Sequence, residues 1–439
     1  MSVYDETVAW LQSLEVTSGW DLKLERMRAA LGVRGDPQRR FPALHVAGTN
    51  GKGSTAAMVE AVLRAGGYRT GLYTSPHLVD FAERIRAGGR TMPHAEVVRR
   101  VAALRAALDT GGIALTHFEF VTLLAFEWFA DIGVDAAVVE VGLGGRLDAT
   151  NLVEPIVTAV TSIAHDHEEW LGSRLEEIAA EKAGILKPGV PAVLGPLPQV
   201  ADAVVSARAA ELGVPLVRVP RDAAIEETGE GLGFRGPHGI VWDRLTLGLG
   251  GRFQRDNAAV ALAMLATVRD RLPCPARAAR VGLAGVRWPG RLAIVNQHPL
   301  VVVDGAHNPA GAGALAGELP ALVGDRPIIL CFAVMADKAW RPMLEVLLPL
   351  VAGVVVTRVG RRGLDPLVVA EALSPRAPVE AVPEPRSAIR RAVDRAGREG
   401  AVVVAGSLFL AGEAYATLAT GGLFEPWQSW NRDGTEAAP

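Results

Sequence analysis

Cysteine is nearly absent from this chain of 439 residues: Cys274 and Cys331 are the only two. Two thiols cannot build the bridged framework of a small secreted domain, and so low a count suits a reducing compartment. An excess of basic charge is missing as well. With 45 Lys and Arg against 48 Asp and Glu the formal net charge is -3, which leaves no electrostatic case for a nucleic-acid partner. No apolar run reaches the roughly 20 residues of a membrane span. The longest, about Val346 to Val356, contains Pro349. The opening residues MSVYDETVAW are acidic and lack a basic, apolar leader, so no signal peptide is expected. The expectation that remains is a cytoplasmic globular protein, with 49% hydrophobic and 21% charged residues and long enough for two or three domains.

Glycine, by contrast, gathers where it is informative. The segment LHVAGTNGKGST at 44–55 runs from a short apolar strand through a Gly-rich loop into a helix. Glycines let backbone N–H groups crowd a phosphate, the helix N-terminus adds partial positive charge, and Lys52 supplies a mobile ammonium. Gly51, Lys52, Gly53, Ser54 and Thr55 are therefore candidate nucleotide contacts, with Ser54 or Thr55 facing Mg2+. The loop is a variant of the G-x-x-x-x-G-K-[ST] pattern: Val46 stands at the first Gly, and Gly53 separates Lys52 from Ser54.

A second segment, AAVVEVGLGGRLDATN at 136–151, reads as a buried parallel strand with Glu140 near its carboxyl end. Open α/β sheets bind ligands outside the carboxyl ends of their strands, so a carboxylate there can meet the metal of a nucleotide held by the first strand. The plain alternative is an ion pair of Glu140 with Arg146. Residues 155–164 repeat the strand pattern and deliver His165, Asp166 and His167. His167 is open between a cation ligand, a general base and a structural role. Residues 175–185 form a helix by the spacing of Leu175, Ile178 and Ala179, closed by Lys187-Pro188-Gly189. Within it, Glu181 and Lys182 read most simply as a solvated charge pair.

Strands and helices alternate from Pro42 to about Leu265 and again from Leu300 to Leu418, which implies parallel sheets covered by helices. The turn chemistry of Arg287-Trp288-Pro289-Gly290-Arg291 marks a hinge. The expected fold is α/β: a P-loop-containing parallel-sheet ATPase domain over 1–290, then a smaller doubly wound, Rossmann-like domain over 291–430. In the second, strands are expected at 300–304, 327–334, 353–359 and 401–405, and helices at about 309–319, 338–350 and 386–397. Residues 227–249 look like an irregular or β-rich insertion, no internal repeat is evident, and the 431–439 tail is expected to be disordered.

The set GTNGKGST at 48–55, SPHL at 75–78, HFEF at 117–120, EVGLGGRLDATN at 140–151, TSIAHDH at 161–167, EKAGI at 181–185 and DGAHNP at 304–309 resembles the folylpolyglutamate synthase and dihydrofolate synthase family of the Mur ligase superfamily. The matches fall in order and span nearly the whole chain. The resemblance implies an ATP- and folate-binding domain followed by a Mur-ligase C-terminal domain that brings glutamate. It implies an acid–amino-acid ligase. The γ-phosphoryl of ATP passes to a carboxylate, and the amine of L-glutamate attacks the acyl phosphate, releasing phosphate.

The same resemblance implies roles for particular residues. Ser54 and Glu140 would hold a first Mg2+, and Ser75, Glu140 and His167 a second. Lys182 matches a lysine carried as a carbamate formed with CO2, an anion that supports the metal site. Asn257, Arg291 and Asp304 match positions that contact ATP, although Asn257 could equally cap a helix and Asp304 serve a turn. His307 and Ser407 fall on the glutamate side. Leu24, Glu25, Arg26, Thr116, His117, Phe118, Glu119, Leu147, Asp148 and Ala149 match segments lining a dihydropteroate pocket, where Phe118 would stack on a flat heterocycle. The expected partners are dihydropteroate or a folate, L-glutamate and ATP, acting on a cytoplasmic monomer without nucleic acid or membrane. Two other readings stand beside this one: a Mur-type ligase acting on a peptidoglycan precursor, and a nucleotide-dependent binding protein without chemistry.

Overall fold

The structure, a computed structural model, describes residues 2–18 and 23–420; the tail expected to be disordered, 431–439, lies outside the described residues. The chain divides into two compact units. One comprises Met1–Ala164, Leu171–Gly248 and Gln254–Arg287; the other comprises His165–Trp170, Leu249–Phe253 and the chain from Trp288 on. The sequence suggests an unbroken first domain over 1–290. The fold departs from this at two short excursions, and the first has a visible cause: Asp166 accepts hydrogen bonds from Lys338 and Asn308 of the second unit.

The first unit is built on an eight-stranded sheet in the order Arg90–Thr91, Ile85–Ala87, Thr70–Tyr73, Ala136–Glu140, Ala43–Ala47, Pro155–Val160, Ala192–Leu194 and Leu216–Arg218. All pairs are parallel except the edge hairpin formed by the first two strands and its pairing with Thr70–Tyr73. Ala43–Ala47, Ala136–Glu140 and Pro155–Val160 are buried throughout, as strands covered on both faces must be, which explains their unbroken apolar runs. Register sets Val46 beside Glu140 and Ala47 beside Val160. The carboxyl ends of the three central strands therefore finish level.

Helix His117–Ile132 is apolar nearly all round because it is buried, with Phe126 and Phe129 wholly enclosed. Each such side chain contributes roughly 1.5–3 kcal/mol by leaving water. Gly71 makes room for Phe129, since a Cβ there would lie 3.0 Å from its ring. The strand expected over 155–164 stops at Val160, and residues 161–164 leave the ladder for a task described below. The insertion is a three-stranded antiparallel sheet of Ala224–Thr228, Gly231–Arg235 and Val241–Leu245, with Phe234 stacked on Trp242.

The second unit holds a six-stranded sheet in the order Ala293–Gln297, Leu300–Val303, Ala401–Ala405, Ile328–Phe332, Gly353–Val356 and Val379–Ala381, parallel but for the first pair. The four expected strands are present, Ala401–Ala405 with the expected bounds and the other three shortened at their ends. Of the expected helices, 338–350 is an α-helix only over Trp340–Leu347; a 3-10 turn, Leu348–Leu350, follows at Pro349, which has no N–H to donate. Helix Pro366–Leu373 and edge strand Val379–Ala381 were not anticipated. Among the described residues no helix is long and apolar enough to cross a membrane.

Candidate active site

The phosphate loop leaves the central strand at Gly48 and enters helix Lys52–Ala65 through Gly51, whose φ is 84°. Its shape is held from outside. Thr49 N–H donates to the Ser162 carbonyl at 2.8 Å, Asn50 N–H to Ser162 Oγ at 2.9 Å, and Thr161 Oγ1 to the Asn50 carbonyl at 2.6 Å. Residues 161–164 thus brace the loop instead of extending their strand. Gly48 is required by that brace: at φ 150° a Cβ would lie 2.0 Å from Thr161 Oγ1.

Around the loop, Ser54 and Thr55 are buried in the first helical turn. Ser54 Oγ accepts from Gln254 Nε2 at 3.3 Å, while Thr55 Oγ1 donates to the Asn257 carbonyl at 3.4 Å. The Thr55 hydroxyl is therefore spent on helix packing, and Ser54 is the better placed of the two for a metal. Asn257 lies inside helix Phe253–Thr267, so it is not a cap. Its Nδ2 donates to Gln254 Oε1 at 2.8 Å, and a Cβ on Gly51 would come 2.2 Å from its Oδ1.

Lys52 Nζ donates to the Gly48 and Thr49 carbonyls, both at 3.0 Å. Lys182 Nζ donates to the same Gly48 carbonyl, also at 3.0 Å. The solvated Glu181–Lys182 pair suggested by the sequence does not exist. Lys182 is 3% exposed, and Glu181 turns the other way to pair with Arg146 at 2.8 Å. That pairing also takes Arg146 away from Glu140. Glu140 is buried at its strand end, and its Oε2 accepts from Ser75 N–H at 3.1 Å. Glu140 and Ser75 thus lie side by side, and carboxylate and hydroxyl oxygens are of the hard kind that Mg2+ prefers.

The segments assigned to a dihydropteroate pocket also lie in this unit. Thr116 and Glu119 form a reciprocal cap at the start of helix His117–Ile132, and Arg26 pairs with Glu119 at 3.2 Å. His117 Nδ1 donates to the Leu11 carbonyl at 2.9 Å. Leu24 is buried and Glu25 exposed. Phe118 is half-buried, and a Cβ on Gly142 would come 2.4 Å from its ring. Asp148 is buried between half-buried Leu147 and buried Ala149. Its Oδ2 accepts from the N–H groups of Gly142 and Leu143, and its Oδ1 from Thr150 N–H and Oγ1. Burial pushes its pKa up while these bonds oppose the shift.

In the second unit Asp304 Oδ2 accepts from Leu292 N–H at 2.7 Å and its Oδ1 from Ala306 N–H at 2.8 Å, which is the turn-holding role. Burial pushes its pKa up, against the neighbouring Arg291 guanidinium. Arg291 Nη1 donates to the Gly290 carbonyl at 3.2 Å. Ser407 is buried at the start of helix Leu408–Thr420 and accepts from Phe409 N–H at 3.1 Å.

A polar cluster that sequence reasoning did not assemble surrounds Asp166. Lys338 Nζ donates to Asp166 Oδ1 at 2.6 Å and to His167 Nε2 at 3.1 Å. Asn308 Nδ2 donates to Asp166 Oδ2 at 3.0 Å, and His307 Nε2 lies 3.5 Å from the same oxygen. Burial opposes the Asp166 charge, but His307, His167 and Lys338 outweigh it and hold the carboxyl far below the usual range. His167 Nε2 accepts from the ammonium, which occupies its lone pair, and its φ of 52° is a left-handed conformation uncommon outside glycine. Lys338 was missed because Ala336-Asp337-Lys338 carries no motif; a cationic residue near a strand end was the only available signal.

Comparison with known proteins identifies the family. Residues 46–265 match the Mur ligase middle domain, and residues 290–408 match the Mur ligase, glutamate ligase domain. Folylpolyglutamate synthase of Lacticaseibacillus casei is 38% identical over 355 residues, covering 78% of this chain and 82% of the relative. Dihydrofolate synthase/folylpolyglutamate synthase of Escherichia coli is 39% identical over 335 residues, 75% of this chain and 76% of the relative. Among solved structures, E. coli FolC in complex with DHPP and ADP aligns with a TM-score of 0.87 at 34% identity, covering 95% of this chain and 98% of that one. The Yersinia pestis bifunctional enzyme complexed with AMPPNP and Mn ion aligns at 0.84 and 35% identity, covering 94% and 98%. The chain belongs to the folylpolyglutamate synthase and dihydrofolate synthase family of Mur ligases.

Proposed function

We propose that this ATP-dependent ligase joins L-glutamate to the carboxylate of dihydropteroate and also extends reduced folates, so that it acts as both dihydrofolate synthase and folylpolyglutamate synthase. One observation carries the reading most. The braced phosphate loop with Lys52, the buried Lys182 and the Glu140–Ser75 pair all stand at the carboxyl ends of the central strands.

A carboxylate does not condense with an amine at neutral pH, because oxide is a poor leaving group. In the proposed reaction a substrate carboxylate oxygen attacks the γ-phosphorus and ADP leaves. The glutamate amine then attacks the acyl carbon, and phosphate departs with the original carboxylate oxygen. Loop N–H groups and Lys52 hold the β- and γ-phosphates, and Gly51, Gly53, Asn257, Arg291 and Asp304 complete the nucleotide contacts. Ser54, Ser75, Glu140 and His167 are the proposed ligands of two Mg2+ ions, which when bound neutralise charge on the phosphates. In the second unit, His307, Ser407 and the newly found Lys338 are assigned to glutamate and its positioning.

Lys182 is assigned as a carbamate formed with CO2. Two ammonium groups on one carbonyl oxygen repel each other, and converting one to an anion reverses that sign. The same reading makes the enzyme a cytoplasmic monomer working on small molecules alone. Its test is ADP release with dihydropteroate, tetrahydrofolate or a muramyl precursor, each with and without glutamate. Glutamate-dependent release with both pteridine substrates supports it. Release with the muramyl precursor alone makes the chain a peptidoglycan-type ligase, and no release with any acid makes it a nucleotide-binding protein without chemistry.

A further inference from the structure

His45 lies in the central strand that feeds the phosphate loop, wholly buried and level with Val139 of the neighbouring strand. A strand covered on both faces is ordinarily filled by residues such as its neighbours Leu44 and Val46, and a buried imidazole must find a partner. His45 Nε2 is 2.9 Å from Thr150 Oγ1, and Thr150 Oγ1 donates to Asp148 Oδ1 at 2.5 Å. A hydroxyl has one proton. Thr150 spends it on Asp148, so its oxygen accepts from His45, and Nε2 carries the ring proton. Nδ1, which has no hydrogen-bond partner, is left as the lone pair.

The bonds thus run one way, from His45 through Thr150 to Asp148, and they meet there the N–H groups of Gly142 at 3.0 Å and Leu143 at 2.9 Å. With Thr150 N–H as well, four donors occupy the four lone-pair directions of the carboxylate. The turn so held touches two proposed functional groups. Gly142 lies against the Phe118 ring, and Gly145 lies against the turn that carries Lys182, where a Cβ would come 2.8 Å from the Glu181 carbonyl oxygen.

We propose that His45 and Thr150 are positioning residues for the acid substrate: their relay orients the Asp148 carboxylate, which fixes the Gly142–Leu143 turn against Phe118. The inference rests on the assignment of Phe118 and 147–149 to the dihydropteroate site.

The test compares Thr150→Val, which keeps the shape and removes the hydroxyl, with Thr150→Ser, which restores it. Amide exchange at Gly142 and Leu143 is followed alongside steady-state kinetics and thermal unfolding. In Thr150→Val those two amides should exchange roughly tenfold faster, and KM for dihydropteroate should rise roughly tenfold while KM for ATP stays within about twofold. Thr150→Ser should return both towards wild type. His45→Leu should reproduce the Thr150→Val result, and His45→Gln, which keeps a donor, should not; this pair decides the matter if Thr150→Val fails to fold. Unchanged exchange at Gly142 and Leu143 overturns the proposal. So does a rise of both KM values together with a lower unfolding temperature, the mark of a residue that only supports the fold. If the wild type rejects dihydropteroate, the substrate assignment falls, and the exchange comparison, which needs no substrate, still decides the relay.

Discussion

Lys52 and Lys182, 130 positions apart in the chain, donate to one and the same acceptor, the carbonyl oxygen of Gly48, each at 3.0 Å. Their charged nitrogens are no further apart than twice that distance. The carbamate proposed for Lys182 would reverse the sign of one member of this pair. Lys182→Ala should lose activity on the order of 100-fold or more, because the missing group is an anion near the metal. Added formate or acetate should restore part of it. A native mass without the added carboxyl group in a fully active preparation would contradict the assignment.

Glu140→Gln keeps the shape at the strand end and removes the charge. The Mg2+ needed for half-maximal activity should rise roughly 10-fold to 100-fold, with the fold intact by circular dichroism. An unchanged Mg2+ titration would reassign Glu140 to holding the Ser75 backbone.

Asp148→Ala removes four hydrogen bonds, two from the Gly142–Leu143 turn and two from Thr150. The dihydropteroate reaction should fall on the order of 10-fold further than the tail-extending reaction, since the two substrates need not place their ring systems alike. Equal loss of both, in parallel assays, would mean that Asp148 supports the shared catalytic centre.

Burial, with nearby Lys187 adding repulsion, pushes the His45 pKa down to about 3. In the unfolded chain it titrates near 6.5. Below about pH 6.5 the unfolded state therefore binds a proton that the folded state refuses. The stability from keeping His45 neutral is whole above that pH and is lost as pH falls, by up to about 1.4 kcal/mol per pH unit. His45→Gln cannot titrate, so denaturant unfolding between about pH 6 and pH 4 should show a shallower loss than wild type. An identical slope would show that His45 is not the titrating group.

Features written in contiguous residues were legible in the sequence. The strand, loop and helix around Lys52 form a local unit, and the apolar run before Glu140 states both its burial and its place at a strand end. Features made by distant partners were not. Nothing local distinguishes Lys182, which turns inward, from Glu181, which turns to Arg146. Lys338 gains meaning only when folding brings it to Asp166, 172 positions away. Thr161 and Ser162 read as the end of a strand because the pattern of apolar residues continues, whereas their hydroxyl and carbonyl groups are drawn off to the phosphate loop. The resemblance to a known family supplied roles for several of these residues, but their hydrogen-bond partners came from the fold.

The central claim is that a substrate carboxylate is activated by phosphoryl transfer before glutamate attacks it. The most direct measurement uses dihydropteroate with heavy oxygen in its carboxylate, turned over with ATP and L-glutamate. Mass analysis of the released phosphate should find one heavy oxygen in each molecule, carried from the carboxylate through the acyl phosphate. Amide product accompanied by unlabelled phosphate would contradict the account.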